Sequence, residues 1–488
     1  MPAGKTLLMV AFEFPPLRGI GVQRSFKLAK YLPEHGVRPI VVTTDSPSLE
    51  AWFGGPLNWD ILDELPREVA IHRVPCPRQQ QPSSIRWVQW LRFLLSTGED
   101  LRRAWEPSLA QAWDRLVAEF RPDAAYVSIP PFNIGPLVVK LAHRSRLPLI
   151  VDFRDHWSQW CHGAKTTWLH YQVQKRRERL CLQGASAVVG VTRQLIRDLQ
   201  AVHGAIATEK FRVVANGFDA ALVPSLQRGN PASSSKPFVI GYVGSFYYSP
   251  QARASVMDPW WQRPPHRWLH YVPRREDWLY RSPFFFFRAL GAVLDSRPEL
   301  RSAVRVRFAG EPQDWLESQI RHFGLTDVVE HLGYLSHRAC VDFQASCDAL
   351  LLTSVKVVGG RDYCIAGKTF EYLAAGKPII AFVTEGEQQE FLLESGVAVV
   401  CDADDPTASA RTLERLLLGG YSLAPNLPFL NRFHRRETSR QMAELVGQVA
   451  GTVRPYPDRV DRSDPGNPSH APGSRLETES AKSSPGRE

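Results

Sequence analysis

A chain of 488 residues, 44% hydrophobic and 22% charged, is long enough for two domains of ordinary size. Its best apolar runs, Phe284 to Leu294 and Leu350 to Val358, are short and carry Arg288 or Lys356, which excludes a membrane-crossing helix. The net charge of +9 suits nucleotide phosphates, anionic lipid or nucleic acid equally well, and it sits before Pro455, because the tail holds five basic against six acidic residues. The opening MPAGKTLLMVAFEFPP has too short an apolar stretch for a signal-peptide core and no small-residue cleavage site, so the expected location is cytoplasmic. Seven scattered cysteines with no C-x-x-C pair point to reduced thiols rather than a disulfide or zinc framework.

In chain order, the segment from Leu7 to Ala11 reads as a buried strand, followed by the loop EFPPLRGIGVQR with Gly19 and Gly21. A helix bearing Phe26, Leu28, Ala29 and Leu32 comes next, then a strand from Arg38 to Thr43. This is the start of a doubly wound parallel sheet. The pattern then loosens up to Glu119. Within it, SSIRWVQWLRFLLS over 83–96 puts Trp87, Trp90, Leu91 and Leu94 on one helix side, with Arg86 and Arg92 largely elsewhere. Such a helix either rests on a membrane interface or buries its tryptophans against the first domain.

Strands over Ala124–Ile129 and Leu147–Phe153 resume the alternation, and the second ends in DFRDHW. Loops at the carboxyl ends of parallel strands hold ligands, so Asp152, Arg154, Asp155 and His156 are expected to project into a cleft, the alternative being a structural ion-pair cluster. Further strands over 187–191 and 211–214 lead to ANGFD, and a Ser- and Pro-rich linker over 224–237 follows. The boundaries read from this pass are a first domain over 1–223, a second over 238–454 and a disordered tail over 455–488.

The second domain opens with the strand Phe238–Val243 and the turn Gly244, Ser245, Phe246. An aromatic and basic insertion over 247–281 interrupts it. Its Trp, Tyr and Arg residues could stack on nucleic acid, but no nucleic-acid-binding module accompanies them, and nucleic acid is not expected as a partner. A strand over 304–309, the segment VEHLGYL with Gly333 and Tyr334, and a strand over 349–353 precede the most informative stretch. There Gly367, Lys368 and Thr369 begin a helix that runs to Ala375 and is closed by Gly376. Free amides, the positive end of the helix dipole, a glycine and a lysine make a diphosphate cradle. Glu371, one turn in, is placed to accept hydrogen bonds from ribose hydroxyls. No Asp-x-Asp or other metal-ligand spacing stands out, and neither metal nor cofactor is expected.

The run GKTFEYLAAGKP, residues 367–378, resembles the donor-site segment of family 4 glycosyltransferases of the GT-B fold. The resemblance covers about residues 7–450, apart from 50–120 and 247–281. It implies an α/β fold of two Rossmann-like domains facing a cleft, with the final helix near 438–449 returning to the first domain. It also implies a retaining transferase that moves a hexosyl unit from a nucleotide diphosphate sugar to a saccharide or lipid-linked saccharide hydroxyl, in surface polysaccharide or glycan synthesis. On this reading Glu371 matches the family's ribose-binding glutamate, and Gly333 and Tyr334 enclose the base. Gly19, Gly21, Gly244 and Ser245 approach the donor, and Lys368 with the amides of Gly367 to Thr369 steadies the leaving diphosphate. Asp155 and Arg154 occupy the positions of the family's Asp and His in the cleft. Eight positions before Glu371, where the family has its first glutamate, stands Tyr363, with Asp362 the nearest acid, and the expected phosphate-loop cations are missing unless Arg281 supplies one. A sugar-nucleotide epimerase or hydrolase and an inactive assembly scaffold therefore stay open. An anionic membrane surface is a further expected partner, which would make the protein peripheral at the inner membrane face.

Overall fold

The computed structural model describes residues 4–17, 19–54, 57–78, 100–159, 167–219 and 236–451. The expected amphipathic helix over 83–96, most of the linker and the tail lie outside the described residues. Among those described, the strands form two parallel sheets. The first has the order β3-β2-β1-β4-β5-β6-β7, from β1 (Lys5–Val10), β2 (Val37–Thr44), β3 (Ala70–Val74), β4 (Ala124–Ile129), β5 (Leu149–Phe153), β6 (Ala187–Gly190) and β7 (Phe211–Val213). The second has the order β11-β10-β8-β12-β14-β15, from β8 (Phe238–Val243), β10 (Val304–Ala309), β11 (Val329–Gly333), β12 (Ala349–Thr353), β14 (Ile379–Val383) and β15 (Ala398–Asp402). A two-stranded ribbon pairs β9 (Glu276–Asp277) with β13 (Lys356–Val357) in antiparallel register.

The apolar runs become strands because both faces are covered. Leu8 and Val10 of β1 pack with Trp105, Leu109 and Trp113, while Leu7 and Met9 on the opposite face pack with Phe26, Met442 and Val446. The helix Arg435–Ala450, the last one described, thus completes the core of the first sheet. In the second sheet the helix Phe284–Ser296 covers one face and the helix Gly367–Ala374 the other.

Where the sequence pattern loosens, the described residues are built into regular elements. They form the helix Ser46–Phe53, capped by Asp45, the edge strand β3, and the 21-residue helix Asp100–Phe120. β3 buries only Val74, and the long helix contains Pro107, ordinarily a stop signal, so neither has a clean sequence period. The insertion over 247–281 is also ordered, with a helix Pro250–Met257 and a bidentate pair from Arg253 to Asp277 at 2.6 and 2.8 Å.

Several contacts tie the second sheet's loops to the first domain. The Thr192 hydroxyl donates to the Tyr363 carbonyl, the Gln194 amide donates to Glu387 Oε1 at 2.6 Å, and Arg274 pairs with Asp198 at 2.6 Å. At the other end, Phe218 donates to the Phe433 carbonyl at 3.1 Å and receives from the Arg435 amide at 3.0 Å.

Candidate functional site

Between the two sheets lies a cleft of about 920 Å³, lined from both domains at the carboxyl ends of their strands. On the second domain the helix Gly367–Ala374 opens into it. Ala366 precedes that helix without a side-chain cap, and its own amide donates to Gln388 Oε1 at 2.8 Å. The first amides of a helix have no partner within it, which leaves those of Gly367 and Lys368 facing the cleft. Thr369 departs from the sequence expectation. Its side chain is fully buried and donates to Gln388 Oε1 at 3.0 Å, and its amide turns back to the Ala366 carbonyl at 2.9 Å. The cradle is therefore one residue shorter than the sequence implied, because Thr369 is used to hold the turn.

Lys368 stands partly open at the cleft wall. Its ammonium donates to the Tyr242 hydroxyl, lies 3.9 Å from that ring's centre, and approaches the Ser245 carbonyl at 3.5 Å. Burial pushes it down to about 7; Glu371 acts against the shift and Arg281 with it. Gly244 is needed beside it. Its φ of +96° suits glycine, and a Cβ there would sit 3.2 Å from Lys368 Nζ. Glu371 is exposed on the cleft wall one turn into the helix. Gly333 and Tyr334 do not line the cleft; Gly333 instead accepts from the Gly310 amide at 2.9 Å, and Tyr334 is 78% exposed.

Arg281 does line the cleft. Among the described residues no hydrogen bond or ion pair engages its guanidinium; the Tyr247 ring lies 6.0 Å away. Half-buried near Cys364, Tyr363, Glu276 and Asp362, it is held above its usual range against the cost of desolvation. Arg281, at the far end of the insertion, thus adds a cation to the cleft wall.

From the first domain come Gly19, Gly21, Arg154 and Asp155. Arg154 is committed to structure: its guanidinium meets Glu13 at 2.9 Å and donates to the carbonyls of Gly21 and Pro130. Gly21 lies so close to this pair that a Cβ would fall 2.0 Å from Glu13 Oε2. Gly21→Ala is therefore expected to break the Glu13–Arg154 pair and loosen the loop, seen as faster proteolysis at 13–19 than in the parent.

Asp155 is different, since no hydrogen bond holds its carboxylate among the described residues. Burial raises it above the usual carboxylate range, opposed by Arg154, His156 and Arg281. Asp152 and His156 do not project as the sequence suggested. Both are fully buried, Asp152 against Arg24 at 2.6 Å and His156 against Asp198 at 3.1 Å. The ion-pair alternative thus describes Asp152 and Arg154, and the cleft-facing one describes Asp155.

Tyr363 sits in the core cluster of the first sheet, its ring 3.9 Å from that of His156 and 4.8 Å from the Arg274 guanidinium. Its neighbour Asp362 is buried at the cleft and pushed up to about 7 by desolvation, with Arg281 pulling the other way. Three residues that the sequence did not single out shape the site: Tyr242, Gln388 and Glu13. Each acts on a partner far along the chain, and no local pattern marks them. Among the described residues no three His, Cys, Asp or Glu side chains come together as a metal-holding group.

Residues 21–217 match the model of a glycosyl transferase 4-like domain, and residues 280–418 that of glycosyl transferases group 1. The D-inositol 3-phosphate glycosyltransferase of Streptomyces scabiei is 26% identical over 155 residues, which are 30% of this chain; the match spans about a third, 32%, of that relative's length. Among solved structures, the UDP-forming α,α-trehalose-phosphate synthase of Burkholderia vietnamiensis superposes with a TM-score of 0.55 at 11% identity, over 92% of this chain and 99% of its own. Anabaena HepE in complex with UDP gives 0.52 at 14% identity, over 91% and 100%. At such identities the likeness speaks to the fold.

Proposed function

The chain belongs to the GT-B glycosyltransferases of the family 4, group 1 kind, and on that footing we propose that it transfers a hexosyl unit from a nucleotide diphosphate sugar to a hydroxyl, with retention at the anomeric carbon. The observation that carries this reading is the convergence of Lys368, the amides of Gly367 and Lys368, Arg281 and Glu371 on one wall of one cleft. The carbon–oxygen bond to the diphosphate breaks, the bond to the acceptor oxygen forms, and the acceptor proton passes to the departing diphosphate oxygen. Negative charge grows on the departing diphosphate. On this reading Lys368, Arg281 and the amides of Gly367 and Lys368, all on that wall, meet the growing charge with little reorganisation. Asp155, across the cleft with an unengaged carboxylate, orients sugar or acceptor hydroxyls. Closure of the two domains on bound donor keeps water from the activated sugar.

Solved neighbours of this fold include one bound to UDP, which makes a uridine nucleotide the first donor to test. The acceptor in this proposal is a saccharide or lipid-linked saccharide in glycan or surface polysaccharide synthesis, met at an anionic membrane face. No helix among the described residues is long and apolar enough to cross a membrane. The test is which nucleoside diphosphate raises the thermal midpoint, since ligand bound to the folded state stabilises it. Glu371→Ala is expected to weaken that ligand by about 1.5 to 3 kcal/mol, the range for a hydrogen bond to a charged group. Unchanged affinity in a folded variant, read by calorimetry, removes Glu371 from the ribose site.

A further inference from the structure

The insertion over 247–281 carries a surface that the donor cleft does not use. Trp260, Trp261, Trp268 and Leu269 are exposed by 58, 64, 49 and 69% respectively. The three indoles touch, with Trp260 6.0 Å from Trp261 and 6.1 Å from Trp268, so they form one patch. The patch is fixed in place: Trp268 Nε1 donates to the Arg263 carbonyl at 2.8 Å, and the Arg263 guanidinium is buried against the Asp258 carbonyl at 2.9 Å. Beside it Arg267 and Arg275 have no ion-pair partner among the described residues, and between residues 251 and 275 the only acid is Asp258.

We infer that this aromatic and cationic patch docks the protein on an anionic lipid surface; the inference rests on the proposal that the acceptor is met at a membrane. The ring geometry chooses among partners. Trp260 stands at 86° to Trp261 and 85° to Trp268, so its face is parallel to neither neighbour. A track for stacked bases or successive sugar rings needs faces in series. A wedge of crossed indoles with a protruding leucine and flanking arginines instead suits the boundary between lipid headgroups and acyl chains, where amphipathic rings settle. The insertion also begins and ends at the cleft, since Tyr247 and Arg281 both line it. Docking there would bring the cleft to the plane in which a lipid-linked acceptor lies.

The test is flotation of the full chain with vesicles of phosphatidylcholine alone or with about a third phosphatidylglycerol. The expected result is partition onto the anionic vesicles that weakens with salt, because surface attraction is screened. The triple change Trp260→Ser, Trp261→Ser, Leu269→Ser is expected to lower that partition at least about tenfold while leaving the nucleotide-induced thermal shift intact. Arg267→Glu with Arg275→Glu should remove the preference for anionic over zwitterionic vesicles. Partition of the triple variant equal to the parent's overturns the inference, as does loss only when Trp87 and Trp90 are changed. A parent chain that stays soluble with both vesicles, or that binds RNA or a soluble glycan through these tryptophans, overturns it too. None of these outcomes touches the donor reading, which stands or falls on the nucleotide shift.

Discussion

Asp152→Ala is expected to cost about 3 to 5 kcal/mol of folding stability, the range for removing one partner of a buried ion pair. The carboxylate is fully buried, with Arg24 Nε at 2.6 Å from one oxygen and Nη2 at 2.9 Å from the other, and the Tyr126 hydroxyl donates to it as well. The remaining donors of Arg24 reach Val214 O at 2.8 Å, Ala215 O at 3.1 Å and Asn216 Oδ1 at 3.2 Å. One guanidinium thus joins the first helix, the centre of the first sheet and the segment that ends the first domain. Removing the carboxylate strands a buried cation and a buried phenol without their partner. For a domain of about 200 residues the loss corresponds to roughly 6 to 20 °C in thermal midpoint. Replacing both partners, Arg24→Met with Asp152→Leu, should cost far less than the single change, because no charge is left behind. Urea unfolding of the three proteins decides: a single variant within about 1 kcal/mol of the parent would show the pair contributes no more than an exposed one.

The reach of sequence reasoning follows the range of the interactions involved. Strands such as β1, β4 and β12 were legible because covering both faces of a parallel sheet demands unbroken apolar runs, and LLMV and ALLLT are such runs. The helix Gly367–Ala374 was legible because its glycine, lysine and glutamate act within one turn of each other. β3 and the helix Asp100–Phe120 were not, since one buries a single residue and the other carries an internal proline. In the site the same rule holds. Asp152, near the end of β5, and Asp155, just past it, are three positions apart, yet only the fold shows Arg24 waiting behind the first and an open cleft before the second. Arg281 could be guessed as a cation in search of a place; what the fold adds is that the insertion folds back, through the pairing of β9 with β13, and sets it near Lys368. Tyr363 looked like a lost glutamate. In the structure it is an aromatic plug, packed between His156 and Arg274 where the domains meet.

Lys368→Met is expected to lower turnover by about 100- to 1000-fold, as for removal of one preorganised donor from a developing oxyanion. It should weaken nucleoside diphosphate binding and spare the bare nucleoside. The same change should raise the thermal midpoint of the empty protein. Burial holds the ammonium at about 7, well below its usual range, and its nearest polar contacts are a phenol and a carbonyl, with no carboxylate in pairing distance among the described residues. Between that value and an unfolded lysine's pKa of about 10.4, the unfolded chain carries a proton that the folded one has shed, so stability rises with pH across this window. Below about pH 7 both states are charged, the full desolvation cost is present, and the methionine variant should gain most there. Diphosphate binding reverses the balance by giving the ammonium its counter-charge. In the parent, binding above pH 7 should take up a proton and affinity should fall as pH rises, while the methionine variant should show neither. The phosphate's own second ionisation, near pH 6, lies below this window. Calorimetry at pH 7 and 8.5 in two buffers of different ionisation enthalpy reads the proton directly. Equal uptake by parent and variant, or a variant that loses diphosphate and nucleoside alike, would show that Lys368 supports the fold of this wall and does not meet the leaving group.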